Sequence, residues 1–167
     1  MKNTSPKKLF WHYSNLGFLF LWIFVFLFMG FWLGKLTATY INPWYINLDK
    51  SSLTPPDITF SVVWTILYVL LAISGWLLWT AATRTKSNFL IYLFFAQLLL
   101  NWAWTPLFFF YKLTGWALLD LIVLFLLNLL LLFQCFKNHR LAFWLLVPYI
   151  LWLGFAMYLN AVIWLLN

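Results

Sequence analysis

Rings and amides recur at helical spacing along this chain. Phe60, Trp64 and Tyr68 repeat every four residues, and so do Pro148, Trp152, Ala156 and Asn160. Gln97, Asn101, Trp104 and Thr105 fall on one stripe, and Asp120 and Asn128 lie eight apart. Residues three or four apart share a helical face. Such faces present flat apolar walls with a few hydrogen-bonding groups between them. They suit a flat aromatic molecule, because rings stack offset or edge to face. The same amides could instead hold helices to one another, each such bond being worth roughly 0.6–2 kcal/mol. The pattern leaves both readings open.

The elements that carry these faces follow from composition. The chain is 66% hydrophobic and only 8% charged, with 13 tryptophans in 167 residues and a mean hydropathy of +0.93. A soluble domain is nearer half apolar and a quarter charged. A bilayer is the solvent that suits this chain. A spanning helix needs ~20 mostly apolar residues, and five runs qualify, at about 18–40, 57–82, 89–111, 115–136 and 141–166. They are too evenly apolar for the alternation of a membrane barrel. The expected fold is all-α: a five-transmembrane-helix bundle over residues 1–167, one integral membrane domain. The first run is long and no small-residue cleavage site follows it, so it reads as a retained helix. Polar groups are costly in hydrocarbon, so the polar stripes are expected to face the bundle interior.

The formal charge of +7 is punctuation between spans and gives no nucleic-acid signal. Lys2, Lys7, Lys8, Arg84, Lys86, Lys137 and Arg140 fall on one side, and Lys35, Lys50 and Lys112 on the other. For a bacterial cell membrane, the positive-inside rule places the N-terminus in the cytoplasm. The single Cys135 excludes an intramolecular disulfide and reads as a small packing residue. His12, expected in an N-terminal tail, and His139, in the fourth connection, offer no metal cluster, and no Ser or Cys nucleophile has a nearby base.

The first connection runs from about Ile41 to Pro56. Trp44 and Tyr45 are rings that favour the membrane interface, and the loop reads either as a rigid lid or as an ordinary interfacial turn. Thr54, Pro55 and Asp57 have the order of a capping box opening the second helix. Pro106 should bend the third helix or end its regular bonding. Asp120 reads either as a proton- or cation-handling acid, or as a partner of Lys112 or a charge near a helix start.

Three ordered motifs carry a resemblance. The first is Trp44-Tyr45-x-x-Leu48-x-Lys50, followed by Pro55-Pro56 and Trp64-x-x-x-Tyr68. The second is Gln97-Leu98-x-Leu100-Asn101-Trp102-Ala103-Trp104-x-Pro106-Leu107-Phe108-Phe109. The third is Pro148-Tyr149-x-x-Trp152-x-x-Phe155-Ala156-x-x-Leu159-Asn160-x-x-x-Trp164. Together, from about Trp44 to the C-terminus, they resemble the translocator protein family, also called tryptophan-rich sensory protein or TspO/MBR. Asp120 also matches a position in its fourth-helix pattern.

That resemblance implies a five-helix bundle, often a homodimer, which binds porphyrins and drug-like aromatic molecules beneath the first loop. Carried over by motif, the ligand site would comprise Tyr45, Pro56, Trp64, Tyr68, Asn101, Trp104, Trp152 and Ala156. Porphyrin or haem is the candidate ligand, and no cofactor is obligatory. Trp64 and Trp152 match tryptophans proposed to act in light- and oxygen-dependent porphyrin breakdown, which makes an enzyme the alternative to a receptor, sensor or carrier. A small transporter or accessory subunit is a third reading.

The chain departs from the family pattern in three places. Ser51 follows Lys50 where the family has proline, which suggests a looser first loop. Leu71-Ala72 replaces Met-Gly. Ala161, Val162 and Leu165 fill the stretch where animal members carry a sterol-recognition pattern.

Overall fold

The computed structural model describes residues 6–85 and 88–167. Five α-helices follow one another: α1 (Pro6–Tyr40), α2 (Asp57–Thr85), α3 (Phe89–Thr105), α4 (Thr114–Asn138) and α5 (Arg140–Leu166). Among the described residues, all five contain a stretch long and apolar enough to cross a membrane, and the stretches begin and end close to the five apolar runs. The protein is a multi-pass integral membrane protein. α1 reaches back to Pro6, so His12 belongs to a helix and not to a tail. Lys2 and Lys86 lie outside the described residues.

Helix packing places α1 against α2, α2 against α5, α5 against α4 and α4 against α3. The centre is filled by Leu71, Leu124, Leu131, Leu146 and Leu153, all fully buried, and by the rings of Phe94 and Tyr149. Ala72 and Cys135 are equally buried. The polar stripes turn inward as their spacing demands: Ser74, Gln97, Asn101, Thr105, Asp120, Asn128 and Asn160 are all buried. Meanwhile Phe20, Phe24, Phe133, Trp144, Leu151 and Leu165 are exposed on the outside. This inversion is what a lipid solvent favours, since an unpaired polar group costs more there than an exposed ring.

α1 is joined to the bundle by a close approach. A Cβ on Gly75 would lie 2.4 Å from Cζ3 of Trp22 and 2.6 Å from Cε1 of Phe94. Trp22 in turn packs against Phe26, Phe94, Phe95 and Trp79, with centroids 5.8–6.4 Å apart. Only a glycine on α2 lets this ring stack reach the helix backbone.

At Pro106 the chain changes pitch. Proline has no N–H to give, and residues Pro106–Phe110 form a π-turn. Tyr111 N–H reaches Pro106 O at 2.9 Å, and Leu113 N–H reaches Leu107 O at 3.0 Å. The extra residue in the turn brings Phe108 and Phe109 inward, where both are buried.

The expected capping box does not form. α2 starts at Asp57, while Thr54 N–H closes a turn onto Ser51 O at 3.0 Å. Thr54 Oγ1 is buried with no hydrogen-bond partner among the described residues. The physical reason is Pro56: the residue before a proline is disfavoured in the helical region, so Pro55 cannot open the helix.

Candidate functional site

A cavity of about 790 Å³ lies under the first loop, walled by all five helices. That is within the size range of small-molecule pockets. Seven of the eight motif-derived site residues line it: Tyr45, Trp64, Tyr68, Asn101, Trp104, Trp152 and Ala156. Pro56 does not; it is exposed in the turn before α2. Its place at the mouth is taken by Asp57 and Phe60.

The walls are rings. Trp64 packs on Tyr68 at 5.4 Å and meets the edge of Tyr149 at 6.4 Å. Trp152 meets Phe60 edge to face at 5.8 Å. Trp104 stacks on Phe108 at 5.0 Å, with an interplanar angle of 22°. Its indole Nε1–H donates to Asn160 Oδ1 at 3.0 Å, and Asn160 Nδ2 donates to Thr114 O at 2.8 Å. These two bonds anchor that wall to the start of α4.

The floor is polar and interlinked. The Tyr68 hydroxyl donates to Asn101 Oδ1 at 3.1 Å. Asn101 Nδ2 donates to the Tyr149 hydroxyl at 2.9 Å, and that hydroxyl donates to Gln97 Oε1 at 3.1 Å. Asn128 Nδ2 donates to the same Gln97 oxygen at 3.3 Å and to Leu124 O at 2.9 Å. One hydrogen-bonded chain thus joins α2, α3, α4 and α5. The amides of the stripe divide by depth. Gln97 and Asn128 are interhelical bonds below the cavity, while Asn101 is an interhelical bond and a cavity wall.

Tyr149 stands in the third motif, but the four-residue spacing does not place it on the inward stripe. It sits one residue beyond Pro148, which was assigned to the inward stripe. In the structure Pro148 is exposed and Tyr149 is fully buried. Asp120 pairs with neither Lys112 nor a helix end. Its Oδ2 is buried without a hydrogen-bond partner among the described residues, and Lys112 Nζ lies 5.8 Å from the Trp44 ring centroid.

The first loop is a fastened cover, not a loosened one. Lys50 Nζ donates to the carbonyls of Tyr45, Ile46 and Leu48 at 2.8, 3.0 and 3.1 Å and stands 4.9 Å from the Tyr45 ring centroid. Ser51 does what a proline in its place could not. Its Oγ accepts from Leu53 N–H at 3.1 Å and bonds the Tyr158 hydroxyl of α5 at 2.9 Å. Asp49 N–H donates to Asn167 Oδ1, and Asn167 Nδ2 donates to Asp49 O, both at 3.0 Å. Trp44 and Tyr45 press on Phe108 and Phe109 at 5.5–6.2 Å. Burial, with the charge of Asp57 added, raises the Tyr45 phenol above its ordinary pKa of 10.0, so it stays neutral over the cavity.

The cavity's open side follows the seam between α1 and α2. Phe31, Gly34 and Lys35 on one helix, and Ser61 and Thr65 on the other, both line the cavity and are exposed.

Comparison with known proteins agrees with this architecture. The chain is 35% identical over 123 residues to the translocator protein of Sus scrofa, covering 72% of this chain and 73% of that one. It is 35% identical over 143 residues to the tryptophan-rich protein TspO of Archaeoglobus fulgidus, covering 83% and 90%. It is 35% identical over 129 residues to protein CrtK of Rhodobacter capsulatus, covering 74% and 78%. The TspO/MBR family model matches residues 22–165, from within α1 to the end of α5, and the chain belongs to the TspO/MBR family.

Proposed function

We propose that this protein binds porphyrin-like flat aromatic molecules in the cavity beneath the first loop, as a membrane receptor, sensor or carrier. The observation that carries the reading is the cavity itself: about 790 Å³, walled by Trp64, Trp104 and Trp152, with the Tyr68–Asn101 pair at its floor. Relatives named translocator protein fit a carrier. The protein would act without an obligatory cofactor, as a homodimer in a bacterial cell membrane with its N-terminus in the cytoplasm. Titrating detergent-solubilised protein with protoporphyrin and with haem, while following tryptophan fluorescence, tests it. Saturable quenching is expected; quenching that never saturates would overturn the reading.

Asn101→Leu probes the floor. Losing its two bonds should cost roughly 0.6–2 kcal/mol of stability for each, the range for polar bonds between membrane helices, and should lower porphyrin affinity at least about tenfold, or ~1.4 kcal/mol. Melting and titration of the same sample separate the two effects. An unchanged affinity in the folded variant would leave Asn101 as interhelical bonding only.

A second reading, light-driven porphyrin breakdown, is favoured by Trp64 and Trp152 lining one cavity. The double variant Trp64→Phe, Trp152→Phe keeps rings on both walls. Porphyrin binding should weaken by no more than about thirtyfold, or ~2 kcal/mol, and breakdown under light should slow. Breakdown at the wild-type rate, followed by loss of porphyrin absorbance, would remove these tryptophans from the chemistry.

A further inference from the structure

The bonds beneath the cavity have a direction, set by a group that has no choice. A backbone carbonyl only accepts, so Leu124 O, 2.9 Å away, fixes which end of the Asn128 amide is Nδ2. The same Nδ2 lies 3.3 Å from Gln97, which must therefore present Oε1; the opposite orientation would set two donors face to face. Tyr149, 3.1 Å from that oxygen, donates its one hydrogen to it. The Tyr149 oxygen is then left to accept, and Asn101 turns Nδ2 toward it at 2.9 Å. Asn101 thereby turns Oδ1 toward Tyr68, whose only hydroxyl hydrogen is taken up at 3.1 Å.

We infer that this directional chain makes the Tyr68 hydroxyl a hydrogen-bond acceptor toward the cavity, so that the site selects flat aromatic ligands carrying an N–H or O–H donor. The inference rests on the ligand-binding reading above and names the class of ligand. Gln97, Asn128 and Tyr149 do not line the cavity. They are positioning residues acting through Asn101, and their low-dielectric surroundings strengthen each bond in the chain. Three other cavity groups also turn their hydrogens into the protein, while the Lys35 ammonium stands over the Phe31 and Trp32 rings at the cavity edge. Trp104 donates to Asn160, and Thr37 and Thr65 donate to Leu33 O and Ser61 O in their own helices. Trp152 Nε1–H, on the cavity wall, is buried without a hydrogen-bond partner among the described residues. The ring oxygen of dibenzofuran, its lone pair drawn into the aromatic system, is only a weak acceptor for it, and the indoles of Trp64 and Trp152 are unchanged in every variant below.

The test compares carbazole with dibenzofuran, flat tricycles of nearly one shape in which an N–H donor is replaced by an oxygen acceptor. Both are titrated calorimetrically into detergent-solubilised protein. Wild type is expected to hold carbazole about tenfold more tightly, the scale of one hydrogen bond. Tyr149→Phe unties Asn101, and Asn128→Leu frees Gln97 to turn over; in each the ratio should shrink to about twofold or less. A purely structural loss would weaken both compounds together and leave the ratio intact. Equal affinities in wild type overturn the inference, as does a ratio that survives in a folded variant. Should Asn128→Leu fail to fold, Tyr149→Phe, which removes one oxygen, decides alone. Saturable porphyrin quenching without discrimination between the tricycles overturns this inference and leaves the ligand-binding reading standing. Binding of neither tricycle and no porphyrin quenching overturns both.

Discussion

Ala156→Trp is expected to abolish high-affinity binding while leaving a folded protein. Ala156 lines the cavity on the face of α5 that also carries Trp152 and Asn160. An indole there would grow into empty space, so the packed core between α4 and α5 need not move. The space it takes is the space a flat ligand needs beside Trp152. Losing one stacking wall costs ~1–2 kcal/mol once lost burial is included, or about five- to thirtyfold, and exclusion of the ring from the cavity costs more. Porphyrin titration with a melting curve on the same sample checks this. An affinity within about threefold of wild type, in a protein that melts normally, would put the ligand elsewhere.

Gly75→Val is expected to be the most damaging single change to the fold. The first added carbon would lie 2.4 Å from Trp22 and 2.6 Å from Phe94. Neither ring can step aside. Phe94 is fully buried, and Trp22 is held among four other rings. Forcing extra carbons into such a stack costs about 1–3 kcal/mol or more, and here the strain falls on the seam that holds α1. Gly17→Ala is the control, because a Cβ at Gly17 meets nothing within 4 Å. The Val variant should melt well below wild type, whereas the control should match it or exceed it slightly through better helix propensity. Equal melting of the two variants would show that the Gly75 approach is not a constraint.

The helices were legible because a bilayer demands length and apolarity, and both are written plainly in the five runs. The inward stripe was legible because amides at helical spacing have no cheap place on a lipid-facing surface. Other features depended on angles that spacing does not carry. Whether Pro148 or its neighbour Tyr149 faces inward is settled by the rotation of α5 against α4, which is a packing outcome. Phe108 and Phe109 reach the cavity only because the π-turn after Pro106 changes the helical phase, and the extent of that change does not follow from a proline alone. Ser51 looked like a defect beside Lys50. Its value depends on Tyr158, 107 positions away along the chain. The Tyr68–Asn101 bond was within reach of the pattern, since both residues stood on inward faces, but the order of donors and acceptors beyond it needed atomic positions.

The opening along the α1–α2 seam changes what the surroundings of this protein mean. A cavity roofed by a fastened loop and open sideways between two membrane-spanning helices faces the bilayer along that seam, with Lys35 at its edge. Porphyrin-like molecules dissolve far better in hydrocarbon than in water, so for the proposed ligands the bilayer would be the reservoir from which the site fills. Occupancy then follows the ligand's mole fraction among lipids, and the membrane's capacity to hold the ligand multiplies every affinity expressed per volume of water. A site of modest intrinsic strength can stay full while the aqueous ligand concentration is very low. On the proposed ligand-binding reading, the quantity to which this protein would respond is the load of flat aromatic molecules carried by the membrane around it.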